Sequence, residues 1–455
     1  MSMKSIFAIW IGKLIGFLTR IFGIGAGSSA PGLAALKIDP KIIDNLAKQI
    51  QGKKIIISAT NGKTTTAKMI REIIVGAGRS YVANITGANL DRGIASALIN
   101  KSNLIGKLAP CDFGVFEVDE AALPQAIKSI KPDLVALGNI FRDQLDRYGE
   151  IDNIAKSWKE SLQQYKNAIL ILNADDPSIA SIAESLKEKV IFYGIGDYQN
   201  KSEELIEHAS DSIRCLKCGT DLTYKSRFFS HLGNYNCQKC DFKRPRIDYD
   251  AKDIIVGEEQ ISFIVNGKEK IAVPMSGIYN IYNVLASIAV ASEIGIDQKI
   301  IKKSLNNFLP AFGRMEKFEF KNREFRITLI KNPAGANAVI ETLKQIPQKN
   351  IMIFLNDKIA DGTDVSWIWD VDLEKMGSIN NLACGGTRVY DLALRFKYAN
   401  FDTKKITIIQ DFWQSVEYMI EKTAKNDKIY ILPTYTAMLE LHKILENKGL
   451  VKKIK

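Results

Sequence analysis

Apolar residues in this chain gather into short unbroken runs separated by longer stretches of helical spacing. Ile55, Ile56 and Ile57 lie inside Lys54–Ser58, too short a run for a helix and read as a buried strand; Thr60–Thr65 follows as a turn and Thr66–Ala77 as a helix. Runs at Phe113–Val118, Leu134–Leu137, Ala168–Asn173 and Val190–Tyr193 predict further strands, with helices between them at Leu123–Ile130 and Ile151–Tyr165. Strands alternating with helices predict an α/β fold with a doubly wound, mostly parallel sheet. The rhythm breaks over about 213–246, where short polar and aromatic runs stand between two cysteine pairs, and strand runs resume at Ile261–Val265 and Lys270–Pro274. Helices at Gly277–Ile294 and Gln298–Phe308 lead to a boundary near Phe312–Glu316. Beyond it, Arg326–Ile330, Ile351–Leu355, Asn381–Ala383, Lys405–Ile408 and Lys428–Leu432 supply strands for a smaller α/β unit. The expected organisation is an N-terminal segment 1–40, a middle domain 41–312 carrying the insertion, and a C-terminal domain 313–455.

At the N-terminus Ile6, Ile9, Trp10, Lys13, Leu14, Phe17 and Ile21 recur near helical spacing beside Lys4 and Arg20. Three readings compete: an amphipathic helix packed on its own domain, a helix touching a membrane surface, and a cleaved signal segment, which Gly12 and Lys13 interrupt. A net charge of +11 favours an acidic partner such as a nucleotide, an anionic lipid or an acidic protein, but the cations form no nucleic-acid-type run. Of six cysteines, four stand in two tight pairs and Cys111 and Cys384 are strays; this is not a disulfide framework, and it fits a reducing cytoplasm.

The residues Ala59-Thr60-Asn61-Gly62-Lys63-Thr64-Thr65-Thr66 join a strand to a helix, so backbone N–H groups and the helix dipole point at a phosphate, Lys63 neutralises it and Thr64 can hold magnesium. Ile57 stands where the general phosphate-loop pattern has its first glycine, which implies a different loop family; the competing reading is a chance Gly-Lys-Thr turn. The loop resembles the T-N-G-K-T-[ST] loop of the Mur ligases, which use ATP to activate a peptidoglycan-precursor carboxylate as an acyl phosphate. Other stretches match that family in order: Val115–Asp119 around Glu117, Asn139–Asp146, Gly277–Asn283, and Gly313-Arg314-Met315-Glu316. The resemblance implies that Thr60, Asn61, Gly62, Lys63, Thr64 and Thr65 hold the phosphates, Thr64 and Glu117 hold magnesium, Asn283 faces adenine and Arg314 approaches the phosphates. Taken singly, Glu117, Asp143 and Asp146 also read as solvated or salt-bridged carboxylates. The sequence departs from the family at Gln144 and Tyr279, each in place of a histidine, and at Ile330–Gly335, which counts against a standard amino-acid-adding ligase.

Cys215-Leu216-Lys217-Cys218 and Cys237-Gln238-Lys239-Cys240, with eighteen residues between the pairs, have the spacing of a four-thiolate zinc ribbon. Four thiolates complete a tetrahedral sphere, so the zinc would be structural; a redox dithiol is the competing reading, and His231 reads as an ordinary loop residue.

In Leu355-Asn356-Asp357 and Ala360–Asp370, aspartates and tryptophans crowd the end of a predicted strand, where ligand and partner sites concentrate. The bland reading makes Trp367-Ile368-Trp369 a packed strand and the aspartates caps. With the ribbon and the Asp143–Glu150 stretch, this region resembles the MurT family, the ligase-like subunits of lipid II isoglutaminyl synthase. That resemblance implies ATP-dependent amidation of the D-glutamate α-carboxyl in the lipid II stem peptide, a GatD-type glutaminase partner in a heterodimer, ATP, Mg2+ and structural Zn2+ as ligands, and a site at the inner face of the membrane. It also implies that one aspartate, Asp364 by registration with Asp361 and Asp370 as runners-up, orients a histidine of the partner. None of His208, His231 and His442 neighbours Cys111 or Cys384 in a glutaminase-like motif, so ammonia would come from elsewhere. A stand-alone amino-acid ligase and an ATP-binding scaffold are the alternatives.

Overall fold

The computed structural model describes the chain except for residues 22–28, 86–87, 143–150, 185, 187–188, 197, 199–210, 311–313, 345, 348 and 452–455. The strands in chain order are β1 (Lys54–Ser58), β2 (Tyr81–Ala83), β3 (Phe113–Glu117), β4 (Leu134–Leu137), β5 (Ile169–Asn173), β6 (Val190–Ile195), β7 (Leu222–Phe229), β8 (Leu232–Cys237), β9 (Tyr249–Val256), β10 (Ile261–Val265) and β11 (Glu269–Val273). They are followed by β12 (Arg314–Phe320), β13 (Arg323–Thr328), β14 (Lys349–Phe354), β15 (Ile379–Gly385), β16 (Ile406–Ile408) and β17 (Lys428–Pro433).

The larger sheet has the order β11-β10-β9-β6-β5-β4-β1-β3-β2. Its strands are parallel from β2 through β9, and the β9-β10-β11 edge is antiparallel. Both faces of its centre are covered, so its strands are apolar throughout and consecutive residues enter opposite cores. Ile55 and Ile57 pack with Met69, Ile73, Val284 and Leu285 of the helices Lys63–Gly76 and Tyr279–Glu293. Ile56 packs on the other face with Ile94, Leu98, Phe116, Ile127 and Trp158.

The smaller sheet, β12-β13-β17-β14-β15-β16, is parallel except at its β12-β13 edge. Ile351 and Ile353 enter one core with Ile340, Leu382 and Phe396; Met352 and Phe354 enter the other with Val416, Met438 and Leu441. The antiparallel hairpin β7-β8 forms a separate two-stranded sheet within the insertion.

The N-terminal helix spans Met3–Ile21 and packs on the helix Ala30–Ile38, which in turn packs on Asp91–Lys101. It turns its small residues inward: Ser5, Ala8, Ile9, Gly12 and Gly16 are buried, whereas Trp10, Leu14, Phe17 and Ile21 stay exposed. A Cβ on Gly12 would lie 3.2 Å from the carbonyl oxygen of Pro31, so the two helices approach too closely for large side chains between them. No helix among the described residues is long and apolar enough to cross a membrane.

Candidate functional site

Strand β1 delivers the chain into a loop whose turn is made by Gly62, in the left-handed region at φ +91°, and the helix Lys63–Gly76 starts at the next residue. Its first-turn N–H groups therefore face the loop's mouth. Asn139, just beyond β4, fixes the loop: the Asn61 N–H donates to its Oδ1 at 2.9 Å, its Nδ2 donates to the Asn61 carbonyl at 2.9 Å, and its own carbonyl accepts from the Thr60 N–H at 3.0 Å. The Thr60 hydroxyl accepts from the Phe141 N–H at 3.1 Å. Thr65 is fully buried.

Beside the loop stands a group of carboxylates. Thr64 Oγ1 donates to Glu117 Oε1 at 2.6 Å, and Asn89 Nδ2 donates to the same oxygen at 2.8 Å. Asn84 clamps the Glu117 backbone on both sides, accepting from its N–H at 3.0 Å and donating to its carbonyl at 2.7 Å. Lys63 Nζ lies 3.2 Å from Asp119 Oδ1 and 3.3 Å from Glu120 Oε2. Burial opposes ionisation of Asp119, but the charges of Lys63 and Lys331 outweigh it and hold its carboxyl below the usual carboxylate range. The hydroxyl of Thr64 and the carboxylate of Glu117 are hard oxygen donors at one point, the donor type that Mg2+ takes together with phosphate oxygens.

Next to this cluster opens a cleft of about 810 Å³, open solvent included, lined by Gly62, Asn139, Phe229, Tyr279, Asn283 and Lys331 among others. Asn283 is held by Asn280, whose Oδ1 accepts from its Nδ2 at 2.9 Å, and by Thr66, whose hydroxyl donates to its Oδ1 at 3.3 Å. The smaller α/β unit closes one wall: the side-chain amides of Asn61 and Asn332 exchange hydrogen bonds at 3.1 and 3.3 Å. Asn332 Oδ1 also accepts the Gly335 N–H at 2.8 Å at the start of the helix Pro333–Lys344, so a helix cap and a cross-unit contact share one side chain. The Arg314 side chain, Asp143, Gln144 and Asp146 lie outside the described residues.

The sequence reading overlooked Asn84, Asn89, Glu120, Phe229 and Lys331. Glu120 stands three positions after Glu117 and Lys331 falls inside Ile330–Gly335, so proximity was a usable signal for both. Asn84 and Asn89 come from the loop after β2 and carry no local signature.

In the insertion the sulfurs of Cys215, Cys218, Cys237 and Cys240 all lie within 4.8 Å of one another. Cys215–Cys240 and Cys218–Cys237 stand 3.5 Å apart, far beyond the ~2.05 Å of a disulfide, and all four cysteines are free thiols. Sulfurs at ~2.3 Å from a tetrahedral Zn2+ stand a little under 4 Å apart, so the donor set fits that ion. The cysteines frame a small core with Leu222, Tyr235 and Phe242. At the far end of β7-β8, Phe229 and Leu232 reach the cleft, and Phe229 packs against Phe141 and Tyr279 with ring centroids 5.6 and 6.3 Å apart. His231 is buried with its ring 4.8 Å from that of Phe141 and its Nε2 3.4 Å from Asp176 Oδ2, away from the sulfurs.

At the end of β14 the three candidate aspartates have different surroundings. Asp361 is buried and accepts from the Thr436 N–H at 2.7 Å and from the Thr436 hydroxyl. Asp370 lies 3.5 Å from Arg142. Asp364 is exposed, and hydrogen bonds from Ser366, backbone first, hold its carboxyl below the usual range. Ser366–Asp370 forms a 3-10 turn and not the strand that the alternation of Trp367, Ile368 and Trp369 predicted, with Ile368 buried and Trp369 exposed. Cys111 and Cys384 are buried, and burial pushes the Cys384 thiol up to about 12. His442 is engaged by Glu316 at 3.2 Å and Glu446 at 3.1 Å.

Residues 57–238 match the Mur ligase middle domain and residues 329–438 the MurT ligase C-terminal domain. The chain is 32% identical to the lipid II isoglutaminyl synthase (glutamine-hydrolyzing) subunit MurT of Streptococcus pneumoniae, over 100% of this chain and 99% of that protein. It is 33% identical to the same-named subunit of Staphylococcus aureus strain COL, over 96% of each chain. Among solved structures, the pseudomurein peptide ligase type C of Methanothermus fervidus superposes with a TM-score of 0.67 at 25% identity, covering 91% of this chain and 84% of that one. A Mur-ligase fold carrying a phosphate loop, a four-cysteine insertion and full-length similarity of this degree places the chain in the MurT family of ATP-dependent ligase subunits.

Proposed function

We propose that this chain is the synthetase subunit of a lipid II amidating enzyme. It transfers the γ-phosphoryl group of ATP to the α-carboxylate of D-glutamate in the lipid II stem peptide. Ammonia released from glutamine by a GatD-type partner then displaces phosphate from the acyl phosphate, leaving D-isoglutamine, ADP and phosphate. The observation that carries this reading is the cluster of Lys63, Thr64 and Glu117 at a cleft walled by both α/β units.

In this assignment Thr60, Asn61, Gly62 and Thr65 hold the phosphates through the loop and first helical turn, and Lys63 counters their charge. Thr64 and Glu117 would hold Mg2+, which would offset charge on the transferring phosphoryl group. Asn283, beside Phe229 and Tyr279, faces the base, and Arg314 approaches the phosphates from the junction between the units. The four cysteines hold a structural Zn2+. A partner surface is supported by Trp369 and by Tyr390, Leu394 and Tyr398, four residues apart along the helix Val389–Tyr398, all exposed, with the Trp369 and Tyr398 rings in contact at 5.6 Å. Asp364, exposed and bonded only locally by Ser366, is the carboxylate assigned to the partner's histidine.

Mass spectrometry of lipid II tests the reading, after incubation with the chain, MgATP and an ammonium salt, with Lys63→Ala as control and the glutaminase partner plus glutamine in parallel. A carboxyl-to-carboxamide change that requires ATP and Lys63 is expected. Lipid II unchanged in every reaction, with ATP still bound, would overturn it.

A further inference from the structure

We infer that the Met3–Ile21 helix is a membrane-surface anchor that lays the enzyme on an anionic bilayer. The inward face of this helix is already satisfied: Ala8, Gly12 and Gly16 pack on the helix Ala30–Ile38, and Ser5 Oγ donates to buried Asp39 Oδ2 at 2.6 Å. Apart from buried Ile9 and part-buried Ile6, Ile11 and Ile15, its large apolar residues point the other way. Met3, Phe7, Trp10, Leu14, Phe17 and Ile21 follow one another at intervals of four and three, one stripe along the helix, and each is at least half exposed. The stripe is widened by Leu104 and Ile105, 60% and 69% exposed, on a loop held to the helix by Trp10 Nε1 donating to the Leu104 carbonyl at 2.7 Å.

Charge selects the occupant. From Met1 to Lys37 the chain carries Lys4, Lys13, Arg20 and Lys37 and no carboxylate. At 100° per residue Lys4 falls on one side of the stripe and Lys13 and Arg20 on the other. Cations rimming an apolar stripe, with a tryptophan in it, are the pattern of a helix lying in the interface plane of an anionic bilayer. A protein partner would call for no such uniform sign, and the helix is not apolar enough to cross. That the substrate is itself membrane-borne rests on the proposed function; the geometry and the charge do not.

Co-sedimentation of the whole chain with phosphatidylglycerol/phosphatidylcholine vesicles and with phosphatidylcholine vesicles decides the matter, with sedimentation velocity of the free chain alongside. Binding to the anionic vesicles is expected, weaker on neutral ones and in high salt, and reduced at least about tenfold by Phe7→Ser/Leu14→Ser/Phe17→Ser. Those three side chains make little of the fold's core, and an unchanged melting temperature checks that; Ile255→Ser, on β9 and 63% exposed, should leave binding intact. Failure to bind vesicles, or binding indifferent to the triple variant, overturns the inference. So does a dimer of the free chain that the triple variant converts to monomer, which would mean that a second copy covers the stripe. Amidation of detergent-solubilised lipid II is measured on the same samples, so an unaltered chain that amidates but does not bind vesicles sinks the anchor and spares the proposed reaction.

Discussion

Gly62 lies directly against the carboxamide of Asn283: a Cβ at this position would overlap Asn283 Oδ1 and stand 2.9 Å from its Cγ. Asn283 cannot swing aside without breaking its bonds to Asn280 and Thr66. Gly62 also needs φ +91°, which costs an L-residue about 1–2 kcal/mol. Gly62→Ala is therefore expected to raise the dissociation constant for ATP at least about tenfold and to lower the melting temperature. Gly78, at φ +69° with open space around it, isolates the backbone part. Gly78→Ala should lose stability alone, and equal ATP affinities in the two variants, by calorimetry, would show that the contact with Asn283 is immaterial.

Asp364 separates two half-reactions. If it orients the partner's histidine, Asp364→Asn should lower glutamine-dependent amidation by about 10²-fold or more while ammonium-dependent amidation by the same complex stays unchanged. Asp370→Asn should leave both rates near the wild-type values, because that carboxylate faces Arg142. A glutamine-dependent rate that survives Asp364→Asn but falls in Asp370→Asn would transfer the role to the runner-up.

The central sheet and phosphate loop were legible because each strand is a short apolar run and the loop's Gly-Lys-Thr follows one directly. The helix starts at Lys63 and not at Thr66, since Thr64 and Thr65, which read as turn residues by propensity, are held in the first turn by Glu117 and by burial. The N-terminal helix shows the opposite failure. Its large apolar residues mark the face expected to pack, yet Gly12 and Gly16 supply the close approach to Pro31 and leave those residues outside. Asn84 and Asn89 reach the site only through tertiary pairing of β2, β3 and β1, which no local pattern encodes.

Asp175 gives stability a defined pH dependence. It is fully buried, and burial pushes its carboxyl up to about 6 against the opposing pull of Arg244, with which it pairs. A carboxyl whose folded value is raised binds protons more tightly when folded. Its stabilising contribution is thus complete below its ordinary value near 3.8 and is lost as pH rises through about 6. Between pH ~7.5 and ~5 the wild type should gain about 1 kcal/mol relative to Asp175→Asn, which does not titrate. Melting curves of both proteins at the two pH values measure this, and a difference that stays constant, or changes in the other direction, would place the protonation elsewhere.

The four-cysteine cluster and the cleft are two ends of one hairpin. Cys237 closes β8 and pairs in register with Leu222, while Phe229 and Leu232 at the opposite end line the cleft and Phe229 leans on Tyr279. The insertion's own core is only a handful of side chains, too small to hold the hairpin straight without a cross-link. Stripping zinc with a chelator, or Cys218→Ser, should therefore loosen the hairpin's tip as well as its base, although no cysteine touches the cleft. Losing the apolar contact of Phe229 and Leu232 is worth about 1–2 kcal/mol, so KM for ATP should rise about tenfold while kcat of ammonium-dependent amidation changes much less. Phe229→Ala with zinc retained should reproduce the KM effect. If zinc removal leaves KM for ATP untouched while Phe229→Ala raises it, the hairpin holds its shape without the metal and the ribbon serves some other face of the molecule.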